Sequence, residues 1–262
     1  MFTVAVANQK GGVGKTTTLL GIASAAQEMG LRILIIDLDP QANSTAALGI
    51  SGEGFTTSDV LYADTKGCAK DALWDTEWAE TTKAIPSALE LAERDSDTTL
   101  GSELRLRKAL NSDELREQFD LCLIDCPPSV GRLVSNALIA ADAVLIVTEP
   151  SFMASQGVAK ITETIETVRD NYNDALRTAG VVINRVPARS READFRAQEL
   201  TDSLGELVWF PHMPMRTALA EAAGNGVPIH RHTPAAKDVT KIYNTYLDRL
   251  LALDPARKDE QE

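Results

Sequence analysis

Residues Lys10 to Thr17 read Lys-Gly-Gly-Val-Gly-Lys-Thr-Thr, between an apolar run, Thr3 to Ala7, and a helical pattern, Thr16 to Met29. Strand, glycine-rich loop and helix in that order make a phosphate site. Gly11, Gly12 and Gly14, with Val13 between them, let backbone N–H groups turn toward phosphate oxygens without Cβ clashes. The helix opening at Thr16 and Thr17 adds the partial positive charge of its N-terminus. Lys15 would reach the β/γ-phosphates of a nucleotide, and the Thr16 hydroxyl would ligate Mg2+. The ordinary motif, G-x-x-x-x-G-K-[ST], requires glycine where this chain has Gln9. A second lysine, Lys10, stands in front of the glycines instead. One lysine suffices for the phosphates of its own site, so a cation at the mouth of the loop points to phosphates of another subunit. The alternative is a solvated surface lysine.

Carboxylates close two other apolar runs. Asp125 ends Leu121–Asp125, where a buried charge costs several kcal/mol unless a cation or hydrogen-bond donors satisfy it; the alternative is a helix cap. Asp37 and Asp39 lie two apart, which puts both carboxylates on one face of an extended segment; the alternative is a pair of turn formers before Pro40. Asn184 follows the run Ala179–Ile183, and its amide can offer a donor and an acceptor to a base edge or close a turn. Cys126 stands beside Asp125, but His212, His230 and His232 all lie far along the chain, so packing as a small apolar residue is expected rather than nucleophilic chemistry.

The elements that must hold these residues alternate almost throughout. Strands are expected at Thr3–Ala7, Arg32–Asp37, Leu121–Asp125, Ala143–Thr148, Ala179–Ile183 and Leu207–Met213. Helices are expected at Thr16–Met29, Leu100–Leu110, Arg132–Ala140, Gln156–Asn171, Arg191–Leu204, Ala218–Ala223 and Ala235–Leu251. Runs such as Ile33-Leu34-Ile35-Ile36 do not alternate with polar residues, as strands buried on both faces do not. An α/β fold follows: a doubly wound, mostly parallel sheet with helices on both faces. Ligands of such sheets bind at the carboxyl ends of strands, where each of these motifs sits.

The chain resembles the ParA/MinD ATPases, P-loop NTPases with a deviant Walker A motif, and most closely their short ParA/Soj branch. Lys-Gly-Gly-x-Gly-Lys-Thr carries the resemblance, with Asp37-Leu38-Asp39-Pro40-Gln41 and Leu123-Ile124-Asp125-Cys126-Pro127-Pro128-Ser129. A fourth stretch, Pro214 to Pro228, holds Leu219-Ala220-Glu221-Ala222 and Gly226-Val227-Pro228. Only the acidic middle, Gly52 to Ala84, matches no pattern. The resemblance implies ATP and Mg2+ as cofactors and a catalytic set of Lys10, Lys15, Asp39 and Asp125. Asp125 would hold Mg2+ through water with the Thr16 hydroxyl, Asp37 would support the metal, and Asp39 would orient the attacking water. Asn184 with Arg185, and Pro214 with Met215 after Met213, would read adenine. DNA would be bound without sequence preference by scattered basic residues: Arg189, Arg191, Arg216, Arg231, Lys237 and Lys241. Ala218 takes the place of an arginine that contacts DNA in close relatives, and acidic neighbours such as Glu192, Asp194 and Glu199 leave a solvated helix face as the alternative. An ATP-dependent homodimer, a ParB-like centromere-binding partner and a cytoplasmic, nucleoid-associated setting complete the expectation.

Composition narrows the classes. With 262 residues, 44% hydrophobic and 24% charged, residues 1–253 suit one α/β domain followed by a charged tail, 254–262. A net charge of −12 argues against coating nucleic acid with the whole surface but leaves room for a local patch. Cys68, Cys122 and Cys126 form no C-x-x-C pair and no zinc spacing, which fits a reducing cytoplasm. No apolar run approaches 18 residues, and the tail lacks the amphipathic basic face of MinD-like relatives, so no membrane contact is expected. Because the chain opens on its first strand, no N-terminal DNA-reading domain like that of longer ParA proteins is expected. Two rivals stand beside partition: an ATPase of the same fold that positions a non-DNA cargo on the nucleoid, and a metabolic synthetase that phosphorylates a carboxylate.

Overall fold

β1 (Phe2–Ala7) lies inside one eight-stranded sheet in the computed structural model, which describes residues 1–232 and 236–258. The other strands are β2 (Ile33–Asp37), β3 (Trp74–Asp75), β4 (Thr82–Ile85), β5 (Leu121–Asp125), β6 (Ala143–Thr148), β7 (Arg177–Ile183) and β8 (Val208–Trp209). Their spatial order is β3-β4-β2-β5-β1-β6-β7-β8, parallel throughout except for the β3–β4 edge pair. The helices are α1 (Lys15–Glu28), α2 (Asn43–Ala47), α3 (Thr57–Ala63), α4 (Leu91–Asp95), α5 (Arg105–Leu110), α6 (Asp113–Gln118) and α7 (Arg132–Ala140). They continue as α8 (Ala154–Asn171), α9 (Arg191–Leu204), α10 (Thr217–Gly224), α11 (Ile229–His232), α12 (Lys237–Leu251) and α13 (Pro255–Lys258).

The two-residue period of the strands divides the core. Phe2, Val4 and Val6 of β1 join Ile33 and Ile35 of β2 and Leu121 and Leu123 of β5 in one cluster, under α1, α10, α11 and α12. Ala5 and Ala7, Leu34 and Ile36, and Cys122 and Ile124 join the cluster on the other face, under α3, α5, α7 and α8. Each central strand is thus buried on both faces, which is why its sequence shows no polar alternation. α1 packs closely on α12: a Cβ on Gly21 would meet the ring of buried Tyr243 at 2.1 Å.

The expected strands and helices recur, with short helices added at α2, α4, α6 and α11 and with the following differences. The helix expected at Leu100–Leu110 begins as a tight 3-10 turn, Ser102–Leu104, before α5. The strand expected at Leu207–Met213 stops at Trp209; Pro211 has no N–H for a ladder, and Pro214 returns only as an isolated bridge to Val186. The acidic middle holds α3 and β3 and runs into β4, whose Thr82-Lys83-Ala84-Ile85 carries little apolar signal. The segment expected as a charged tail includes the helical turn α13; Ala235 and residues 259–262 lie outside the described residues. No helix among the described residues is long and apolar enough to cross a membrane.

Candidate nucleotide site

β1 is flanked by β5 on one side and β6 on the other, so the chain reverses direction across the sheet at this strand. Such a switch point opens a crevice at the carboxyl ends of the strands, and residues 8–14 fill its mouth. Gly14 precedes α1 with φ +91°, in the left-handed region. A Cβ there would stand 2.1 Å from Asn184 Nδ2, so backbone angle and space both demand glycine. Asn184 is buried; its Nδ2 donates to Val13 O at 2.9 Å, and its Oδ1 accepts from Arg185 N at 2.8 Å. Arg185 itself has φ +56°, and its Nη1 donates to Gly12 O at 2.6 Å. The loop is therefore braced from the end of β7.

Lys15 is buried at the first position of α1, with Nζ donating to Lys10 O at 3.3 Å. Burial pulls its pKa below the ordinary lysine value, while Asp125, Cys126 and Asp39 pull it back up. Lys10 points elsewhere: its Nζ donates to Glu149 Oε1 at 2.5 Å and to Ser151 Oγ at 3.1 Å, beyond the end of β6. The two lysines of the motif thus serve opposite sides of the loop.

Asp37 and Asp125 are register partners on β2 and β5. Asp37 is fully engaged: Oδ1 accepts from Asp39 N at 3.0 Å, and Oδ2 from Thr45 N at 2.9 Å and Thr45 Oγ1 at 2.7 Å. Thr45 Oγ1 in turn accepts from Ser87 N at 2.9 Å, tying α2 to the end of β4. Burial raises the Asp37 pKa against those hydrogen bonds. Asp39 Oδ1 accepts from Gln41 N at 3.0 Å. Asp125 is fully buried, and neither carboxylate oxygen has a hydrogen-bond partner among the described residues. Burial first, and Asp37 second, push it up to about 8; the neighbouring Thr16 hydroxyl pulls it down without reaching hydrogen-bond geometry.

A carboxylate orphaned in this way fits a divalent cation. Among the described residues no group of three His, Cys, Asp or Glu side chains could hold a metal alone. Mg2+ characteristically takes one or two carboxylates and fills its remaining positions with phosphate and water. Asp125 and Thr16 are placed to share such an ion, with Asp37 fixing the loop beside it.

The raised Asp125 pKa gives a pH prediction. An unfolded carboxyl titrates near 4. Between about pH 4 and about pH 8 the native Asp125 keeps a proton that the unfolded chain has lost, so its contribution to stability falls as pH rises through that window. Asp125→Asn removes the effect, and the stability of the variant relative to wild type should grow across the window in urea titrations without metal. Affinity for Mg2+, which needs the charged carboxylate, should fall as pH drops below about 8. A stability difference that stays flat with pH would show that Asp125 is charged in the metal-free protein.

Of the pair expected to read adenine, Met215 has its N–H engaged with Val186 O at 2.9 Å, and Arg216 Nη1 donates to its carbonyl at 3.2 Å. Pro214 is held by its bridge to Val186, next to Arg185. Arg189, Arg191, Arg216, Arg231, Lys237 and Lys241 are all exposed. Arg216 pairs with Asp238 at 2.8 Å and Arg231 with Glu28 at 3.3 Å; the other four have no ion-pair partner among the described residues. Cys126 is buried, and burial raises its thiol pKa, which leaves no thiolate nucleophile.

Sequence reasoning passed over Asn8, Thr45, Ser87, Glu149 and Ser151. Asn8 is buried, with Nδ2 donating to Val147 O at 2.6 Å and Oδ1 accepting from Lys10 N at 3.1 Å. Glu149 carries the signal that marked Asp37 and Asp125, a carboxylate at the carboxyl end of an apolar parallel strand.

A family model described as an AAA domain matches residues 1–178. The chromosome-partitioning ATPase Soj of Thermus thermophilus is 34% identical over 233 residues, 89% of this chain and 89% of its own. The chromosome partitioning protein ParA of Caulobacter vibrioides is 35% identical over 230 residues, 86% of this chain and 85% of its own. Among solved structures, cobyrinic acid a,c-diamide synthase from Mycobacterium smegmatis, with bound ATP analog and magnesium, matches with a TM-score of 0.74 at 33% identity, covering 86% of this chain and 92% of that one. Its ligands suit the glycine cradle and the orphaned Asp125 of this chain. Identity above 30% across most of both chains settles the kinship: this chain belongs to the ParA/MinD family of ATPases, alongside the Soj and ParA partitioning proteins.

Proposed function

We propose that this ATPase partitions DNA: two subunits close face to face around ATP, the dimer binds DNA without sequence preference, and a ParB-like partner on a centromere site triggers hydrolysis and release. The observation that carries the reading is the division of labour between the lysines. Lys15 turns into its own loop, and the Lys10 ammonium points out of it, 36% exposed as a side chain and paired with Glu149, where phosphates presented by a second copy would compete for it. Dimerisation would join two weak basic patches. A single patch binds DNA at about 10⁻⁴–10⁻⁶ M, and linking two raises avidity about 10²–10⁴-fold. That gain makes DNA binding a switch thrown by ATP in a chain of net charge −12. Arg189, Arg191, Lys237 and Lys241, free of ion pairs among the described residues, are the foremost DNA contacts.

Lys10→Ala tests this. ATP affinity should change only a few-fold, because Lys15 and the backbone cradle remain. Light scattering with a slowly hydrolysed ATP analogue should show monomers, and anisotropy on random duplexes should show DNA affinity down about 10²-fold or more. Wild-type binding should need ATP rather than ADP and weaken steeply with salt. A variant that dimerises normally overturns the reading. Dimerisation without DNA binding would move the cargo from DNA to a protein assembly. The relative named as a synthase motivates a second reading, in which the same site activates a carboxylate. Phosphate release that responds to carboxylic acids and ignores DNA would favour it.

A further inference from the structure

Lys10 is not idle in the single subunit. Its ammonium is shared by the Glu149 carboxylate and the Ser151 hydroxyl, both in the segment between β6 and α8. Its backbone is fixed from the same side, since buried Asn8 accepts from Lys10 N and donates to Val147 O. Gly157 leaves room for this, because a Cβ there would stand 3.3 Å from Asn8 Oδ1. One turn of chain therefore parks both the backbone and the charge of Lys10.

We propose that Glu149 is the counter-ion that sets the affinity of the ATP-dependent dimer, by holding Lys10 until a partner's phosphates displace it. The inference rests on the reading that Lys10 serves those phosphates. Two effects act in the same direction. The ion pair must break before the ammonium can transfer, and the carboxylate left behind then faces a triphosphate of like charge. In a nucleotide-free or diphosphate-bound subunit nothing outbids the carboxylate, so the pair also discriminates against closure without ATP.

Partly exposed ion pairs shift an equilibrium by about 1.4- to fivefold each. A symmetric dimer breaks two of them, so Glu149→Gln should tighten dimerisation in the ATP analogue by about two- to 25-fold. The gain should appear as a lower protein concentration at the dimerisation midpoint in sedimentation or light scattering. Monomer nucleotide affinity should stay at the wild-type value, and the folding equilibrium should weaken by no more than the roughly 1.4- to fivefold of one lost ion pair, because glutamine keeps the shape and removes only the charge. Ser151→Ala should act in the same direction with a smaller effect. The double variant Lys10→Ala, Glu149→Gln should stay monomeric like Lys10→Ala alone. Weaker dimerisation in Glu149→Gln, or none of the expected gain while Lys10→Ala remains monomeric, overturns the role of Glu149 and leaves the function of Lys10 intact. Tightening that persists without Lys10 also overturns it. Normal dimerisation of Lys10→Ala alone is a different failure, and it removes the sandwich reading itself.

Discussion

Lys15→Ala is expected to abolish useful ATP binding. Removing one partner of a desolvated charge pair costs about 2–5 kcal/mol, or roughly 30- to 5,000-fold in affinity. Lys15 is such a group: buried, at the first turn of α1, with its ammonium turned to the loop carbonyl of Lys10. Its charge also offsets Asp125 and Asp39. Without it only the backbone cradle and the α1 N-terminus offset Asp125 and Asp39 against a polyphosphate, and the expected loss lies toward the upper end of that range. Arginine is no substitute, because its planar fork differs in shape from a compact ammonium. Calorimetric titration with ATP and Mg2+ measures the effect directly. Wild-type affinity in the variant would place nucleotide elsewhere than in the glycine loop.

Much of this arrangement can be read from residue types alone. Glycines at 11, 12 and 14 are needed because backbone, not side chain, cradles phosphate; at Gly14 the structure adds a second reason, contact with Asn184. The central strands are legible because burial on both faces leaves unbroken apolar runs, and Leu121–Asp125 and Ala143–Thr148 have the bounds that the runs imply. Short edge elements are not legible. β3 has two residues and β4 four, too few for a period to show, and their pairing with the rest of the sheet is a tertiary choice. The partners of site residues escape for another reason. Glu149 lies 139 residues from Lys10, and Asn184 lies 171 residues from Val13. Only the strand order, with β6 beside β1 and β7 beyond it, brings them together. A charged residue at a strand end can be noticed in sequence; the cation it meets requires topology.

Asp39→Ala is expected to stop hydrolysis, by about 10²–10⁴-fold, while leaving ATP binding and dimerisation in place. Phosphoryl transfer asks little covalent help from a protein, so what Asp39 would supply is the orientation of the attacking water. The substitution spares the frame around it. Asp37 accepts from the backbone N–H of residue 39, which alanine keeps, and from Thr45 N and Oγ1. The turn bond from Ala42 N to the carbonyl of residue 39, at 2.9 Å, is also backbone. Only the bond from Gln41 N to the carboxylate disappears. One negative charge near the γ-phosphate goes with it, so ATP should bind at least as tightly as in wild type. The variant should therefore accumulate as a persistent ATP dimer on sizing chromatography, with phosphate release at background even when DNA and a partner protein are present. Normal phosphate release would move the water-orienting role to another residue. Loss of the dimer would show instead that Asp39 shapes the interface between subunits.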